Sequence, residues 1–401
     1  MAKLLIINPA KNYGSTGKIA EQIGLLAKTN GWDVRMVNSV RYGRPSNLKS
    51  LATGNKISEQ FHALMSYLFD CQGLFSKYAT KKIVAAIKEY APDVINLHNA
   101  HGYYLNYPIF FTYLAKANIP VIWTMHDCWS FTGHCTYFDM VGCEKWKTHC
   151  GKCPNLADYP KSITDRSFKN FEQKRSFFTK VKDITMVPVS EWLGDLTRQS
   201  YMGKYPVKVI HNGIDISIFR IKENEVRKKL NLEDKFIVLG VSSNGFAGRK
   251  GLTDFIKLSQ ILSSKFQIIM VGLKEEEKNN LPGNIIGLTR TANVEELVDL
   301  YNAADVFINP TYSDNFPTTN IEALACGTPV ITYKTGGSPE AIDSATGIIV
   351  TQGDVDGLAN AIQTMKLKPI SSEQCRRRAE LLFDKNICFQ QYMELFNSKR
   401  K

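Results

Sequence analysis

The feature that most constrains this chain is a recurring short apolar run, in most cases continuous rather than alternating with polar residues. In the first half these runs are Leu4–Asn8, Asp33–Val37, Val94–Leu97, Val121–Met125 and Ile184–Val189. In the second they are Val207–Ile210, Phe236–Val241, Phe266–Val271, Asp305–Asn309 and Pro329–Tyr333. Continuous apolar runs of strand length suit parallel strands covered on both faces. Helical patterns such as Val294–Ala303 and Asn320–Cys326 lie between them. Alternating strands and helices predict an α/β fold of two Rossmann-like, doubly wound parallel sheets. A chain of 401 residues exceeds one ordinary core. The expected domains are 1–203 and 204–401, divided near Ser200–Tyr205, with a C-terminal helix crossing back to the first. Ligands of such sheets bind beyond the carboxyl ends of the strands, so the cleft between the two domains is the expected site.

The opening Met1-Ala2-Lys3 and Leu4–Asn8 read as a first buried strand rather than a secretory signal. No apolar stretch reaches membrane-spanning length, so the expected location is cytoplasmic. Charge is unevenly distributed. Residues 1–200 hold 25 Lys and Arg against 15 Asp and Glu, net +10, leaving +2 of the total +12 for the rest. The first domain therefore favours an anionic partner, such as a phospholipid surface, a lipid diphosphate or nucleic acid; a merely solubilising surface is the competing reading. Segment 41–88 mixes Lys49, Lys56, Lys77, Lys81 and Lys82 with Phe61, Tyr67, Phe69 and Phe75. That mixture suits peripheral contact with the inner face of a membrane and a lipid-linked acceptor; an ordinary amphipathic helical pair packed on the sheet is the competing reading. The basic residues form no concentrated stripe with a nucleic-acid motif, and no nucleic-acid partner is expected.

The strongest motif runs from Ser313 to Val330, SDNFPTTNIEALACGTPV, after the run Asp305–Asn309. A helix starting near Thr318 or Thr319 would offer free N–H groups and a positive dipole to a diphosphate. Asp314 and Glu322 are carboxylates placed for a sugar and a ribose; on spacing alone, Thr319-Asn-Ile-Glu322 reads as a capping box. A second motif, Gly240–Gly251, combines small residues with Arg249 and Lys250, which can neutralise phosphate charge. Gly336–Glu340 is a third turn at a strand end. In the first domain Asn12–Lys18 lacks the residues of a phosphate-binding P-loop, and Gly14 and Gly17 are expected to let the loop pass close to a ligand. His98 and His101, and His126 with Asp127, follow two apolar runs.

Together these stretches, with Leu97–Asn106, Met125–Gly133, Val189–Trp192 and His211–Asp215, resemble the GT-B retaining glycosyltransferases of the family 4 type, particularly those of bacterial surface polysaccharides. The resemblance spans nearly the whole chain. It implies transfer of a sugar from a nucleotide sugar to a glycan or lipid-linked acceptor with retained anomeric configuration. Lys250 matches the family's phosphate-binding lysine, Glu322 its ribose-binding glutamate and His126 its sugar-contacting histidine. The family's usual first glutamate is Asp314 here, one methylene shorter. Its common arginine two places after Gly240 is Ser242 here, which leaves a phosphate role to Arg249. Thr318 and Thr319 complete the expected donor site. No cofactor is expected to be obligatory for catalysis. A catalytically silent protein binding a nucleotide sugar or glycan is the alternative.

Nine cysteines in a chain without a secretory signal suggest reduced thiols or metal ligands rather than disulfides. Cys135, Cys143, Cys150 and Cys153 have the spacing C-x7-C-x6-C-x2-C, which fits a structural zinc site. His134 and His149 are the neighbouring alternative ligands, and Cys128 reads as a packing residue.

Overall fold

The apolar runs become parallel strands in the computed structural model, which describes residues 1–243 and 245–400. The first sheet contains β1 (Lys3–Ile7), β2 (Asp33–Ser39), β3 (Lys49–Thr53), β4 (Val94–Leu97), β5 (Val121–Met125) and β6 (Ile184–Pro188). Their spatial order is β3-β2-β1-β4-β5-β6, all parallel. The second contains β7 (Phe236–Val241), β8 (Phe266–Val271), β9 (Ile285–Leu288), β10 (Val306–Asn309), β11 (Val330–Tyr333) and β12 (Gly347–Val350). It repeats the arrangement as β9-β8-β7-β10-β11-β12. In each, strand order reverses direction beside the first strand, which opens a crevice at the carboxyl ends of β1 and β4, and of β7 and β10.

Helices cover the sheets. In the first half they are α1 (Gly14–Thr29), α2 (Lys56–Phe69), α3 (Lys77–Tyr90), α4 (Tyr107–Ala117), α5 (Ser167–Phe178) and α6 (Glu191–Gln199). In the second they are α7 (Leu252–Ile261), α8 (Val294–Ala303), α9 (Thr318–Ala325), α10 (Val355–Leu367), α11 (Ser372–Leu382) and α12 (Lys385–Lys399). Asn55, Asn106, Ser190, Asn293, Asp354 and Ser371 cap six of them through side-chain oxygens. Around β5, Trp123, Phe111 and Phe178 pack ring to ring at 4.4–5.2 Å. The second core joins Val238, Phe255, Ile308, Ile331, Leu358 and Ile362.

Two compact units result: Met1–His211 with Phe389–Lys401, and Asn212–Cys388. The division falls at 211/212 rather than 203/204, and hydrogen bonding explains the difference. Val207–Ile210, expected as a strand of the second domain, instead runs along the edge of β6. Met186 N donates to Pro206 O, Lys208 N to Met186 O and Ile210 N to Pro188 O, at 2.9–3.1 Å. The final turns of α12 belong to the first unit, where Phe396 meets Trp32 at 6.0 Å and Lys399 Nζ meets Asp183 Oδ1 at 2.5 Å.

Helix α2 inverts the usual pattern. It buries Glu59, His62 and Ser66 and exposes Ile57, Phe61, Leu64, Tyr67 and Phe69. Glu59 and His62 on that polar face find partners inside, while the buried Ser66 hydroxyl has none. Glu59 accepts from Ser39 Oγ at 2.7 Å and from Val40 N at 3.2 Å. His62 Nε2 accepts from Gly73 N at 3.0 Å, and its Nδ1 lies 2.8 Å from Ser76 Oγ. The helix is therefore not an ordinary amphipathic element packed on the sheet by its apolar side.

Candidate functional site

In the second unit, three loops beyond the carboxyl ends of β7, β10 and β11 bring the charged residues together. After β7, Glu277 organises the glycine-rich loop. Its carboxylate accepts from Phe246 N at 3.0 Å, Ala247 N at 2.7 Å and Lys274 N at 2.9 Å. Three otherwise unpaired backbone donors thus share one buried acceptor. Glu277 stands outside every recognised motif, and no spacing in the sequence connects it to residue 246. Gly248–Lys250 then forms a single 3-10 turn, pinned to the next loop where Tyr312 N donates to Arg249 O at 2.7 Å.

That pin sets two cations beside Asp314. Lys250 Nζ lies 2.5 Å from Asp314 Oδ2 and Arg249 Nη1 lies 3.6 Å from it. Arg249 Nη1 also donates to Ser313 O. Burial would raise the Asp314 carboxyl, but Lys250 and Arg249 outweigh it and hold the group below the ordinary carboxylate range. The Asp314 backbone touches the third loop, since Gly337 N donates to Asp314 O at 3.2 Å. Gly336 has φ +52°, and a Cβ there would stand 1.9 Å from that carbonyl, so only glycine fits. In this third loop the buried hydroxyls of Thr335 and Ser338 have no hydrogen-bond partner.

Helix α9 begins at Thr318 with Pro317 as its N-cap residue and no side-chain cap. The capping box expected from Thr319 and Glu322 is therefore absent: Glu322 lies beyond the third helical position, where its carboxylate cannot reach the cap. Glu322 Oε2 instead accepts from the Tyr301 hydroxyl of α8 at 3.1 Å. Asn320 ties the helix start to both neighbouring strands' loops, accepting from Asn309 Nδ2 at 2.8 Å and donating to Ser338 O at 3.2 Å. The backbone N–H groups of Thr318 and Thr319 stand at the start of α9, where the helix dipole favours an anion.

The first unit holds a separate cluster after β4 and β5. His98 Nδ1 lies 2.9 Å from His126 Nε2, with the rings 12° from parallel. Asn96 fixes the protons. Its Nδ2 donates to Ile122 O and Thr124 Oγ1, so its Oδ1 accepts from His98 Nε2 at 3.0 Å. His98 Nδ1 is then an acceptor, His126 donates to it through Nε2, and the Nδ1 of a neutral His126 carries a lone pair. Burial and the adjacent ring push His98 well below the usual histidine value. Burial pushes His126 down to about 4. Both rings are uncharged near neutral pH. His101 pairs with Asp127 at 2.7 Å and lies 3.2 Å from the Tyr159 hydroxyl. His98, His101, His126, Asp127 and Trp129 line one pocket. Such a site sets an uncharged His126 ring beside the His101–Asp127 pair.

The glycines of the first loop lie elsewhere. Gly14 opens α1, and Gly17 sits in its first turn, where a Cβ would come 3.1 Å from Ala10. Gly17 lets α1 approach the backbone of Ala10 closely. The cysteines Cys135, Cys143, Cys150 and Cys153 line a second pocket of this unit. Among the described residues, no group of three or more His, Cys, Asp or Glu side chains already stands in a metal-holding arrangement. No described helix is long and apolar enough to cross a membrane.

Two family profiles match the chain: Glycosyltransferase Family 4 over residues 25–218 and Glycosyl transferases group 1 over residues 222–381. The chain is 26% identical over 271 residues to a putative colanic acid biosynthesis glycosyl transferase, WcaC, of Escherichia coli K12, covering 66% of this chain and 65% of that one. It is 28% identical over 207 residues to the capsular polysaccharide biosynthesis glycosyltransferase CapM of Staphylococcus aureus, covering 47% of this chain and 53% of that one. The matches thus span between about half and two thirds of these relatives' lengths. Sucrose-phosphate synthase of Thermosynechococcus elongatus superposes with a TM-score of 0.74 at 20% identity, over 99% of each chain. Anabaena HepE in complex with UDP-glucose does so at 0.68 and 17% identity, over 99% of this chain and 100% of that one. At those identities the structures speak for the fold, and with two like-ordered parallel sheets and both profiles matched, the chain belongs to the GT-B glycosyltransferases of the family 4 type.

Proposed function

We propose that this protein transfers a sugar from a nucleotide-activated donor to a glycan or lipid-linked acceptor in bacterial surface-polysaccharide synthesis, retaining the anomeric configuration. The observation that carries the donor site is the convergence of Arg249, Lys250, Asp314 and the start of α9 at the carboxyl ends of β7 and β10. On this reading Lys250, Arg249 and the N–H groups of Thr318 and Thr319 neutralise the diphosphate as it leaves. Glu322 accepts from the ribose hydroxyls, and the buried hydroxyls of Thr335 and Ser338 find partners in the donor. His126 contacts the sugar through its unprotonated Nδ1. No carboxylate is assigned as a nucleophile; positioning and charge stabilisation do the work. The likeness to WcaC and CapM supports the polysaccharide context, and HepE, solved with UDP-glucose, supports a nucleotide sugar.

The acceptor side rests on α2. Ile57 is 78% exposed, and Phe61, Leu64 and Phe69 are each at least half exposed. Ile163, 60% exposed, adjoins them through its hydrogen bond to Tyr67 O. Lysines 56, 77, 81 and 82 lie exposed on α2 and α3. An apolar stripe with a lysine border suits an anionic membrane face carrying lipid-linked acceptors.

Thermal stabilisation by a panel of nucleotide sugars, followed by turnover with glycan and lipid-diphosphate acceptors, tests the proposal. A donor that stabilises the protein and is consumed only with acceptor, giving product of the donor's anomeric configuration, is the expected result. Stabilisation without turnover on any acceptor would indicate a silent binding protein instead.

A further inference from the structure

The connection between β5 and α5 runs from residue 126 to 166, and its helical content is two three-residue 3-10 turns, Asp139–Val141 and Lys145–Lys147. A segment of that length with so little backbone pairing needs another fastening. Part is aromatic: Trp146 meets Phe131 at 5.2 Å and Phe138 at 5.1 Å. Next to this cluster, Cys135, Cys143, Cys150 and Cys153 all line the same pocket. Cys135 and Cys153 are hydrogen-bonded through sulfur. Cys150 Sγ accepts from Gly133 N at 3.2 Å, the kind of bond a backbone amide makes to a thiolate. Lys152, with φ +47°, bends the Cys150–Cys153 turn back on itself, and Lys145 Nζ holds that turn at Gly151 O and Lys152 O, both 2.9 Å.

A second feature of the pocket points to a missing partner. His134 also lines it, and its side chain is wholly buried. Its Nδ1 is 2.6 Å from Asp70 Oδ1, while its Nε2 has no hydrogen-bond partner. A buried ring nitrogen left unsatisfied has given up its hydration with nothing in return. His149 differs: its Nδ1 is 2.7 Å from Cys150 O and its Nε2 2.7 Å from Glu172 Oε1. Both its nitrogens are engaged, which removes it as a ligand. Lys174, also buried, puts Nζ on Trp129 O and Thr132 O at 2.8 and 3.1 Å, within electrostatic reach of Cys150 and Cys135.

We infer that this loop is closed by a structural zinc ion on the thiolates of Cys135, Cys143, Cys150 and Cys153, with the His134–Asp70 pair and Lys174 packed around it. Zn²⁺ replaces four thiol protons, which pass to solvent, and the resulting tetrathiolate carries net charge −2. Loading sets polarised thiolate sulfurs beside the buried, unpartnered His134 Nε2. Lys174 supplies compensating charge. Because the sulfurs do not already stand in a metal-holding arrangement among the described residues, loading must draw them in. Cys143, on the half-exposed stretch between the two 3-10 turns, is the residue free to travel. The ion has no part in transfer.

The full chain, produced in zinc-supplemented medium and purified without chelator or metal-affinity tag, tests this by elemental analysis. About one equivalent of zinc is expected. Exchange for Co²⁺ should give an intense thiolate-to-cobalt charge-transfer band and a tetrahedral d–d spectrum. Cys150→Ser and Cys153→Ser should each lose most of the metal, whereas Cys71→Ser, outside the pocket, should keep it. Should the serine variants fail to fold, alkylation of the wild type decides: the four thiols should be protected until a chelator is added. Less than about a tenth of an equivalent of metal, with all four thiols alkylated in the native protein, overturns the inference. So does a Cys135–Cys153 disulfide in metal-free protein. None of these readings depends on transferase activity.

Discussion

Lys250 and Asp314, 64 residues apart, form an ion pair with Nζ 2.5 Å from Oδ2. The carboxylate neutralises a cation that the proposed function assigns to phosphate. Lys250→Ala should lower kcat/KM by roughly ten- to a thousand-fold, the range for losing a charged contact to a leaving group. Asp314→Asn should behave differently. With the competing carboxylate neutral, Lys250 and Arg249 are left for phosphate, and a nucleoside diphosphate should bind roughly three- to tenfold tighter while transfer falls. Calorimetric titration beside steady-state kinetics checks both; weaker diphosphate binding by the asparagine variant would contradict the assignment.

Glu322 accepts from Tyr301 and caps no helix. Glu322→Ala should therefore lose transfer by roughly ten- to a thousand-fold, as expected for a ribose contact. Tyr301→Phe should reduce it much less, because it removes only an orienting bond. Equal losses in the two variants would mean that Glu322 acts through its position alone.

Glu277 holds Phe246 N, Ala247 N and Lys274 N. Glu277→Ala strips an acceptor from all three and should cost about 2–3 kcal/mol of stability. The loop bearing Arg249 and Lys250 should loosen, so KM for the donor rises more than kcat falls. Denaturant titration and donor-dependent kinetics measure the two effects separately.

His126 titrates near 4 in the folded protein, against an ordinary value of 6.5. The unfolded chain binds the extra proton first as pH falls. This stability is therefore present above pH 6.5 and is lost as pH falls from 6.5 toward 4. By pH 5 the loss from His126 alone is on the order of 2 kcal/mol. His126→Gln, which keeps a donor for His98 Nδ1, should flatten the pH dependence of the urea midpoint in that window; an unchanged slope would count against the buried neutral ring.

The exposed face of α2 should bind anionic vesicles. Flotation with phosphatidylglycerol-rich liposomes at low salt should carry the protein upward. High salt should weaken this, and a triple variant Ile57→Ser, Phe61→Ser, Leu64→Ser should abolish it without altering turnover on a soluble acceptor. Retained flotation in the triple variant would place the membrane contact elsewhere.

The central strands were legible because they are buried on both faces. Val94–Leu97, Val121–Met125, Phe236–Val241 and Phe266–Val271 are mostly apolar and match the observed bounds residue for residue. Within the two large sheets, the strands that the apolar runs do not mark, β3, β9 and β12, are all sheet edges. Lys49–Thr53 is exposed at four of its five positions, so no apolar signal marks it. Val207–Ile210 failed in the opposite way. It is apolar because it flanks β6, yet it makes only a single bridge, Met186 with Val207.

The amino-acid sequence by itself determined the two parallel sheets, the start of α9 and the residue types of the donor motif, because strand burial and local turn chemistry act over a few residues. Tertiary structure alone decided the rest. It set Glu277 under the loop at 246, exchanged a cap for a Tyr301 bond at Glu322, and locked the protons of His98 and His126 through Asn96. It also turned the apolar side of α2 outward, since the polar side already had partners in Ser39, Ser76 and Gly73. Each of these depends on a hydrogen bond between residues distant in the chain, and periodicity records only what neighbours do.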